Sequence, residues 1–295
     1  MLFPGPLGAP FAPLYQTITS VRRLAYDRDW ISRERAAHPT FSVGGLEVGG
    51  TGKTPITRWL LKALLRAGYR PGLLTRGYGR ESSGLQLHEP GASADPARLG
   101  DEPALIAAEV PVPIAVCADR FAGAQALGEQ VNALVLDDGF SHRRLHRDLD
   151  VVALRSERGP ETLHHLPWGP LRESVKGLGR ADVFWLHGEE GHEQTSQALG
   201  LRFPEILQVR STPRLIGAGT LAGRSVALVT AIARPERVER SLSEAEVHVV
   251  ERLAFPDHHR FNSADLERIE VRSRGLPIVC TAKDAVKLSN SALPL

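Results

Sequence analysis

The segment Val48-Gly49-Gly50-Thr51-Gly52-Lys53-Thr54 constrains this chain more than any other. It stands between an apolar run, residues 40–46, and a stretch from 55 to 67 where Ile56, Trp59, Leu60, Ala63, Leu64 and Ala67 recur at helical spacing. Pro55 in the first turn and Gly68 past the last are helix start and stop signals. A strand that turns through glycines into a helix is the layout of a P-loop. Its backbone N–H groups face inward on phosphates, Lys53 reaches the β/γ-phosphates, and Thr54 offers a hydroxyl to Mg²⁺. The full pattern G-x-x-x-x-G-K-[ST] has glycine where Glu47 stands, so the match is incomplete. Residues 48–54 are therefore read as a triphosphate site.

Further apolar strands are expected at 71–75, 112–116, 133–137 and 149–154, with helices near 103–109 and 122–129. Strands alternating with helices imply an α/β fold, a P-loop NTPase-like, mostly parallel sheet with helices on both faces. Glycine and proline crowd residues 159–179 and break the rhythm. A second series at 181–186, 225–230, 246–250 and 277–281 suggests a smaller C-terminal α/β domain. The expected division is an N-terminal segment 1–30, a P-loop domain 31–158 and a second domain 159–295.

The strand 133–137 ends in Asp137-Asp138-Gly139. Downstream of a P-loop, a buried strand delivering an aspartate is the Walker-B arrangement, which holds Mg²⁺ with the P-loop hydroxyl. Gly100-Asp101-Glu102-Pro103 reads in two ways: an acidic helix N-terminus favoured by the helix dipole, or a general base for an attacking hydroxyl. Asp257-His258-His259 does not make a metal site, because adjacent side chains diverge in most backbones. Arg76, Arg120 and Arg172 have the forked geometry that suits phosphate, although each alone could be a solvated surface charge.

Thirty-six basic and 34 acidic residues leave a net charge of +2, so no basic excess points to nucleic acid. Cys117 and Cys280 are the only cysteines, which fits a reducing compartment and neither a disulfide framework nor a zinc site. Residues 1–20 carry no charge but are interrupted by four prolines, and a membrane span needs about 20 unbroken apolar residues. Beyond them Leu14, Ile18, Val21 and Ala25 share one helical face, with Arg22, Arg23 and Arg28 on the polar side. Such a helix either rests on an anionic membrane surface or packs on its own domain.

Taken in order, these segments resemble the tetraacyldisaccharide 4′-kinase family, the lipid A 4′-kinases. The resemblance runs through Tyr26-Asp27-Arg28, SVGGLEVGGTGKTP (42–55), LLTRGYGR (73–80), GDEP (100–103) and Asp119-Arg120. It continues through LDDGFSHRRLHRDLD (136–150), LPWGPLRE (166–173), AIARPERV (231–238), FPDHH (255–259) and TAKDAVK (281–287). The chain departs from the family's usual pattern at Gly45, Glu47, Ser141 and Ala282.

The resemblance implies ATP- and Mg²⁺-dependent phosphorylation of the 4′-hydroxyl of tetraacyldisaccharide 1-phosphate, giving the lipid A precursor lipid IVA. It implies a peripheral enzyme on the cytoplasmic face of the inner membrane, attached by its N-terminal segment, and a second domain that contributes to the substrate cleft. The glycolipid and the membrane surface are the expected partners, with neither nucleic acid nor an obligate protein partner. Asp101, assisted by His258 or His259, would take the hydroxyl proton, with Lys53 and Arg172 also catalytic. Thr54, Asp137 and Asp138 would hold the metal. Arg76, Tyr78, Arg120, His142 and Glu173 would bind substrate. Three rivals remain. A GTPase would need a guanine-reading Asn/Thr-Lys-x-Asp, and Lys283-Asp284 lacks the spacer. A metal-delivery ATPase would want clustered Cys or His. A non-catalytic membrane-binding module would need none of these groups together.

Overall fold

A computed structural model describes residues 5–157, 159–160, 163–213, 218–232 and 235–288. Residues 1–4 of the expected N-terminal segment, and Ala233 and Arg234 of the 231–238 segment, lie outside the described residues. After a 3₁₀ turn at Gly5–Phe11 the elements run α1 (Ala12–Asp27), β1 (Thr40–Gly44), α2 (Lys53–Arg66), β2 (Pro71–Thr75), β3 (Gln86–His88), α3 (Pro96–Leu99), α4 (Asp101–Glu109) and β4 (Ile114–Val116). They continue with α5 (Arg120–Leu127), β5 (Ala133–Asp137), β6 (Leu149–Arg155), β7 (Val183–His187), α6 (His192–Arg202) and β8 (Leu207–Ser211). The last are β9 (Ser225–Thr230), α7 (Pro235–Glu244), β10 (His248–Ala254), α8 (Ser263–Ser273), β11 (Ile278–Cys280) and α9 (Ala282–Leu288).

The chain forms two compact units. The larger comprises Met1–Arg76, Gly84–Pro90 and Val110–Pro213; the smaller comprises Gly77–Ser83, Gly91–Glu109 and Arg214–Leu295. The larger holds an eight-stranded sheet in the order β3-β4-β2-β5-β1-β6-β7-β8, parallel except for β3 against β4. Alternation along β6 shows why both faces must be covered. Val151 and Ala153 join Val43, Ile56 and Trp185 on the α2 side, while Val152 and Leu154 join Phe184, Leu186 and Leu199 on the α6 side. Full burial of side chains such as Phe184 and Leu186 contributes about 1.5–3 kcal/mol each.

This topology corrects the expected boundary at 158/159. β7 pairs with β6 and β8 with β7, so the run at 181–186 belongs to the large sheet, and that unit extends to Pro213. The glycine- and proline-rich stretch is no linker. Val48 N–H donates to the Pro170 carbonyl at 2.9 Å and Arg172 N–H to that of Leu46 at 2.8 Å, which seats residues 170–172 along the approach to the P-loop.

The smaller unit holds a parallel three-stranded sheet, β10-β9-β11. Val229, Leu253, Ile269, Ile278 and Leu288 form one buried cluster, and Val226, Leu228, Leu242 and Val247 another. Both sheets are open and parallel or mostly so, and such sheets place ligands beyond the carboxyl ends of their strands.

Candidate functional site

In the larger unit the carboxyl ends of β1 and β5 lie side by side, with Val43 in register with Asp137. Gly44 makes this approach possible, because a Cβ there would stand 2.5 Å from the Phe140 backbone nitrogen. The P-loop leaves β1 and enters α2 through Gly52, whose left-handed φ of +83° only glycine adopts cheaply. α2 begins at Lys53, two residues earlier than its apolar pattern suggested, so Lys53 and Thr54 occupy its first turn. At Gly49 and Gly50 no atom lies within 4 Å of where a Cβ would stand, and this backbone faces open space. That opening, at a helix N-terminus, fits a phosphate chain.

Glu47, at the position where a strict P-loop has glycine, is buried with its carboxylate 3.7 Å from Arg155. Asp138 is the centre of charge. Its Oδ2 accepts from Arg172 Nη1 at 2.6 Å, and its Oδ1 lies 3.5 Å from Lys53 Nζ. Burial raises its pKa, but Lys53 and Arg172 outweigh that and hold it below the usual carboxylate range. Oδ1 is buried without a hydrogen-bond partner among the described residues. That oxygen, met by the Lys53 ammonium but by no hydrogen bond, fits a hard cation such as Mg²⁺, which takes few protein ligands and completes its shell with phosphates and water. Asp137 is tied down differently, accepting from Thr57 Oγ1 at 3.0 Å and Thr75 Oγ1 at 3.5 Å. Among the described residues no group of three His, Cys, Asp or Glu side chains could hold a metal by itself.

Arg120 is buried and donates to the carbonyls of Cys117 and Ala118 at 2.8 and 2.9 Å. Burial lowers its pKa, Arg76 lowers it further, and Asp137 and Asp138 pull it back up. Asp119, its neighbour, caps α5 by accepting from Phe121 N–H at 3.0 Å. His142 is pushed down to about 4, first by burial and then by Arg120 and Arg147, so its imidazole is neutral at ordinary pH. Glu173 accepts from one nitrogen of Arg180, Nη2, on both carboxylate oxygens at 3.1 and 3.0 Å, and from Ser141 at 3.2 Å. Arg180 was invisible as a site residue in the sequence. It lies over the Phe140 ring at 4.5 Å and fixes the segment that carries Arg172. Arg76 is exposed at the end of β2.

The smaller unit gathers a second cluster. Asp101 is the first residue of α4, so the helix-terminus reading of this segment is correct. It also meets His258, with Nδ1 to Oδ2 at 3.0 Å, and Lys287, with Nζ to the same oxygen at 3.1 Å. Burial raises the pKa of Asp101, yet the His258 hydrogen bond and the Lys287 charge bring it below the usual range. His259 corrects an expectation. His258 adopts a left-handed φ of +63°, which sends the two rings apart. His259 pairs with Asp265 at 2.9 Å and stacks on Phe255, so of the two only His258 reaches Asp101. Tyr78 is exposed, and its ring lies at a steep angle to that of His258 with the centroids 6.1 Å apart. Lys287 was not singled out in the sequence, and Lys283 only as an incomplete guanine-reading motif, although the two stand one helical turn apart in 281–287.

α1 has two faces. Ala12 and Tyr26 are buried, and Tyr26 lies 5.1 Å under Arg143, which pairs with Asp27 at 2.8 Å. Phe11, at its N-cap, and Leu14, Ile18 and Val21 are each about 60% exposed on the other side. Among the described residues no helix is long and apolar enough to cross a membrane.

The family model for tetraacyldisaccharide-1-P 4′-kinase matches residues 5–295. The chain belongs to this family. Tetraacyldisaccharide 4′-kinase of Halorhodospira halophila (strain DSM 244 / SL1) is 37% identical over 283 residues, covering 95% of this chain and 82% of that protein. Its counterpart from Anaeromyxobacter dehalogenans (strain 2CP-C) is 38% identical over 317 residues, covering 97% and 83%. A crystal structure of LpxK from Aquifex aeolicus, an "apo" form in complex with ATP, superposes with a TM-score of 0.76 at 29% identity, covering 96% of this chain and 90% of that one.

Proposed function

We propose that this chain transfers the γ-phosphoryl group of ATP to the 4′-hydroxyl of tetraacyldisaccharide 1-phosphate, giving lipid IVA. Family membership supports the reaction, and one observation carries the chemistry: the Asp138 carboxylate sits between Lys53 and Arg172 at the mouth of an open P-loop. Phosphoryl transfer asks a protein mainly for positioning and charge stabilisation, and these groups supply both.

Val48 to Thr54 would cradle the phosphates with backbone N–H groups and the α2 dipole. Thr54 and Asp138 would hold Mg²⁺, with Asp137 fixed behind them by its two hydroxyl partners. When bound, the ion neutralises charge on the β- and γ-phosphates. Lys53, which leans on the Gly49 carbonyl at 3.3 Å, would turn to the β/γ-oxygens. Arg172 would exchange Asp138 for the transferring group, with Arg76 and Arg120 adding positive charge. Asp101 would accept the 4′-hydroxyl proton as the new O–P bond forms and ADP leaves, with His258 orienting it. Tyr78 and the neutral His142 would contact the substrate, while Glu173, expected to do so as well, is engaged by Arg180 and Ser141 and would support the Arg172 segment instead.

The exposed apolar face of α1 supports a peripheral seat on a membrane surface, which in this reading is the cytoplasmic face of the inner membrane. Each acyl methylene would cost about 0.8 kcal/mol to bring into water, so the acceptor is best met at the bilayer surface. A GTPase reading has no support, because Lys283 and Asp284 belong to the cluster around Asp101. The test of these roles is Asp101→Ala. It should cut kcat by roughly 10²–10⁴ while sparing ATP affinity; loss of ATP binding would assign Asp101 to the nucleotide instead.

A further inference from the structure

Lys283 and Lys287 bracket the Asp101–His258 pair from one face of α9. Lys287 is only 5% exposed, which is costly for an ammonium unless it is held. It is held on three sides: by Asp101 Oδ2 at 3.1 Å, by the His259 carbonyl at 3.2 Å, and by Asp284 Oδ1 at 3.8 Å. Asp284 is itself fully buried, accepting from Thr281 Oγ1 at 2.7 Å and Ala231 N–H at 3.2 Å. A continuous polar chain therefore runs from the carboxyl edge of the small sheet to the α4 N-terminus. On the other side of the imidazole, Lys283 Nζ stands 3.4 Å from His258 Nε2, with Asp257 3.8 Å from the same nitrogen and the Tyr78 ring beyond.

This geometry treats the two oxygens of Asp101 unequally. His258 and Lys287 both donate to Oδ2, and no hydrogen bond reaches Oδ1 among the described residues. A carboxylate with one oxygen pinned by two donors cannot turn freely, so one lone-pair direction stays open. An ammonium that donates to Nε2 needs that nitrogen unprotonated, which puts the imidazole proton on Nδ1, facing Asp101.

We propose that Lys287 is a positioning residue of the kinase: anchored by Asp284, it shares Oδ2 of Asp101 with His258 and presents Oδ1 to the acceptor hydroxyl, while Lys283 fixes the His258 tautomer. The proposal rests on Asp101 being the proton acceptor. The lowered pKa of Asp101 agrees with it, since the Lys287 charge and the His258 bond overcome the opposing effect of burial. The low pKa keeps Asp101 ionised without making it a strong base. A late proton transfer to a positioned carboxylate needs no more.

The experiment compares Lys287→Met, Lys287→Arg and Lys283→Met in the full chain. Lys287→Met should lower kcat by roughly tenfold or more with KM for ATP unchanged, and should move the acid limb of the pH–rate profile upward by about one pH unit. Lys287→Arg should restore both in large part. Direct ¹³C NMR titration of the Asp101 carboxyl should show the same upward move in Lys287→Met, and ¹⁵N NMR of Lys283→Met should show His258 losing its single Nδ1–H tautomer. An Asp101 titration that does not move in Lys287→Met overturns the proposal, whatever happens to stability. Near-normal turnover of Asp101→Asn would instead remove the proton-acceptor reading. That outcome is distinct, because the titration is read without turnover.

Discussion

Arg172 and Asp138 meet at 2.6 Å, a guanidinium from a glycine- and proline-rich loop on a carboxylate from the end of a buried strand. Lys53 approaches the other oxygen of the same carboxylate at 3.5 Å. Asp138 therefore stores two cations where a triphosphate would compete for them. Removing either should be felt in turnover first. Arg172→Ala should reduce kcat by roughly 10²–10³, the range for losing one preorganised donor to developing charge. Lys53→Ala should abolish measurable transfer. Steady-state kinetics with saturating ATP checks both, and near-normal kcat in either would remove that residue from the phosphate site.

Gly52 is a sharper probe of the cradle. A Cβ there would stand 2.5 Å from the His187 ring, in a backbone conformation that costs other residues about 1–2 kcal/mol. Gly52→Ala should lower the unfolding temperature and weaken ATP binding together. Calorimetry measures both, and an unchanged ATP Kd would mean that the loop does not need this turn.

α1 separates two functions by face. Ile18→Glu and Leu14→Glu should each weaken association with anionic vesicles by roughly tenfold or more, since a buried apolar side chain is worth about 1.5–3 kcal/mol. Folding should be unaffected, because both side chains are exposed. Tyr26→Ala should do the opposite, costing stability through the lost Arg143 contact. Vesicle co-sedimentation beside thermal unfolding distinguishes them, and equal vesicle binding by all three variants would deny α1 a membrane role.

His142 gives a pH signature. Burial, then Arg120 and Arg147, depress its pKa to about 4 in the folded chain, against about 6.5 when unfolded. Between those values only the unfolded chain binds the proton. The contribution of His142 to stability is complete above about pH 6.5 and is lost as pH falls toward 4. NMR titration of the ring should show a midpoint near 4, and one near 6.5 would contradict its desolvated place beside Arg120.

Much of this was legible in the sequence because parallel strands buried on both faces read as unbroken apolar runs. The runs at 71–75 and 133–137 are β2 and β5 to the residue. The Asp137-Asp138 pair followed from the second of these, and the P-loop from the glycines between the 40–46 run and the α2 pattern. The boundary between the units was not legible. An apolar run such as 181–186 does not say which sheet it joins, and β8, half-exposed at the sheet edge, carries the polar Gln208 and Arg210. Residues 159–179 resemble a linker in composition, yet hydrogen bonds to Leu46 and Val48 tie residues 170–172 to the approach to the P-loop. The choice between His258 and His259 depended on a left-handed backbone angle, which no side-chain pattern announces.

The central claim is tested most directly by supplying the chain with ATP, Mg²⁺ and tetraacyldisaccharide 1-phosphate in detergent micelles and following ATP consumption beside ³¹P NMR of the lipid. ATP consumption should rise only with the disaccharide present, and a second phosphomonoester should appear at the 4′-position in equal amount to the ADP formed. ATP hydrolysis indifferent to the lipid, or a folded, ATP-binding chain that leaves the 4′-hydroxyl unmodified, would contradict it.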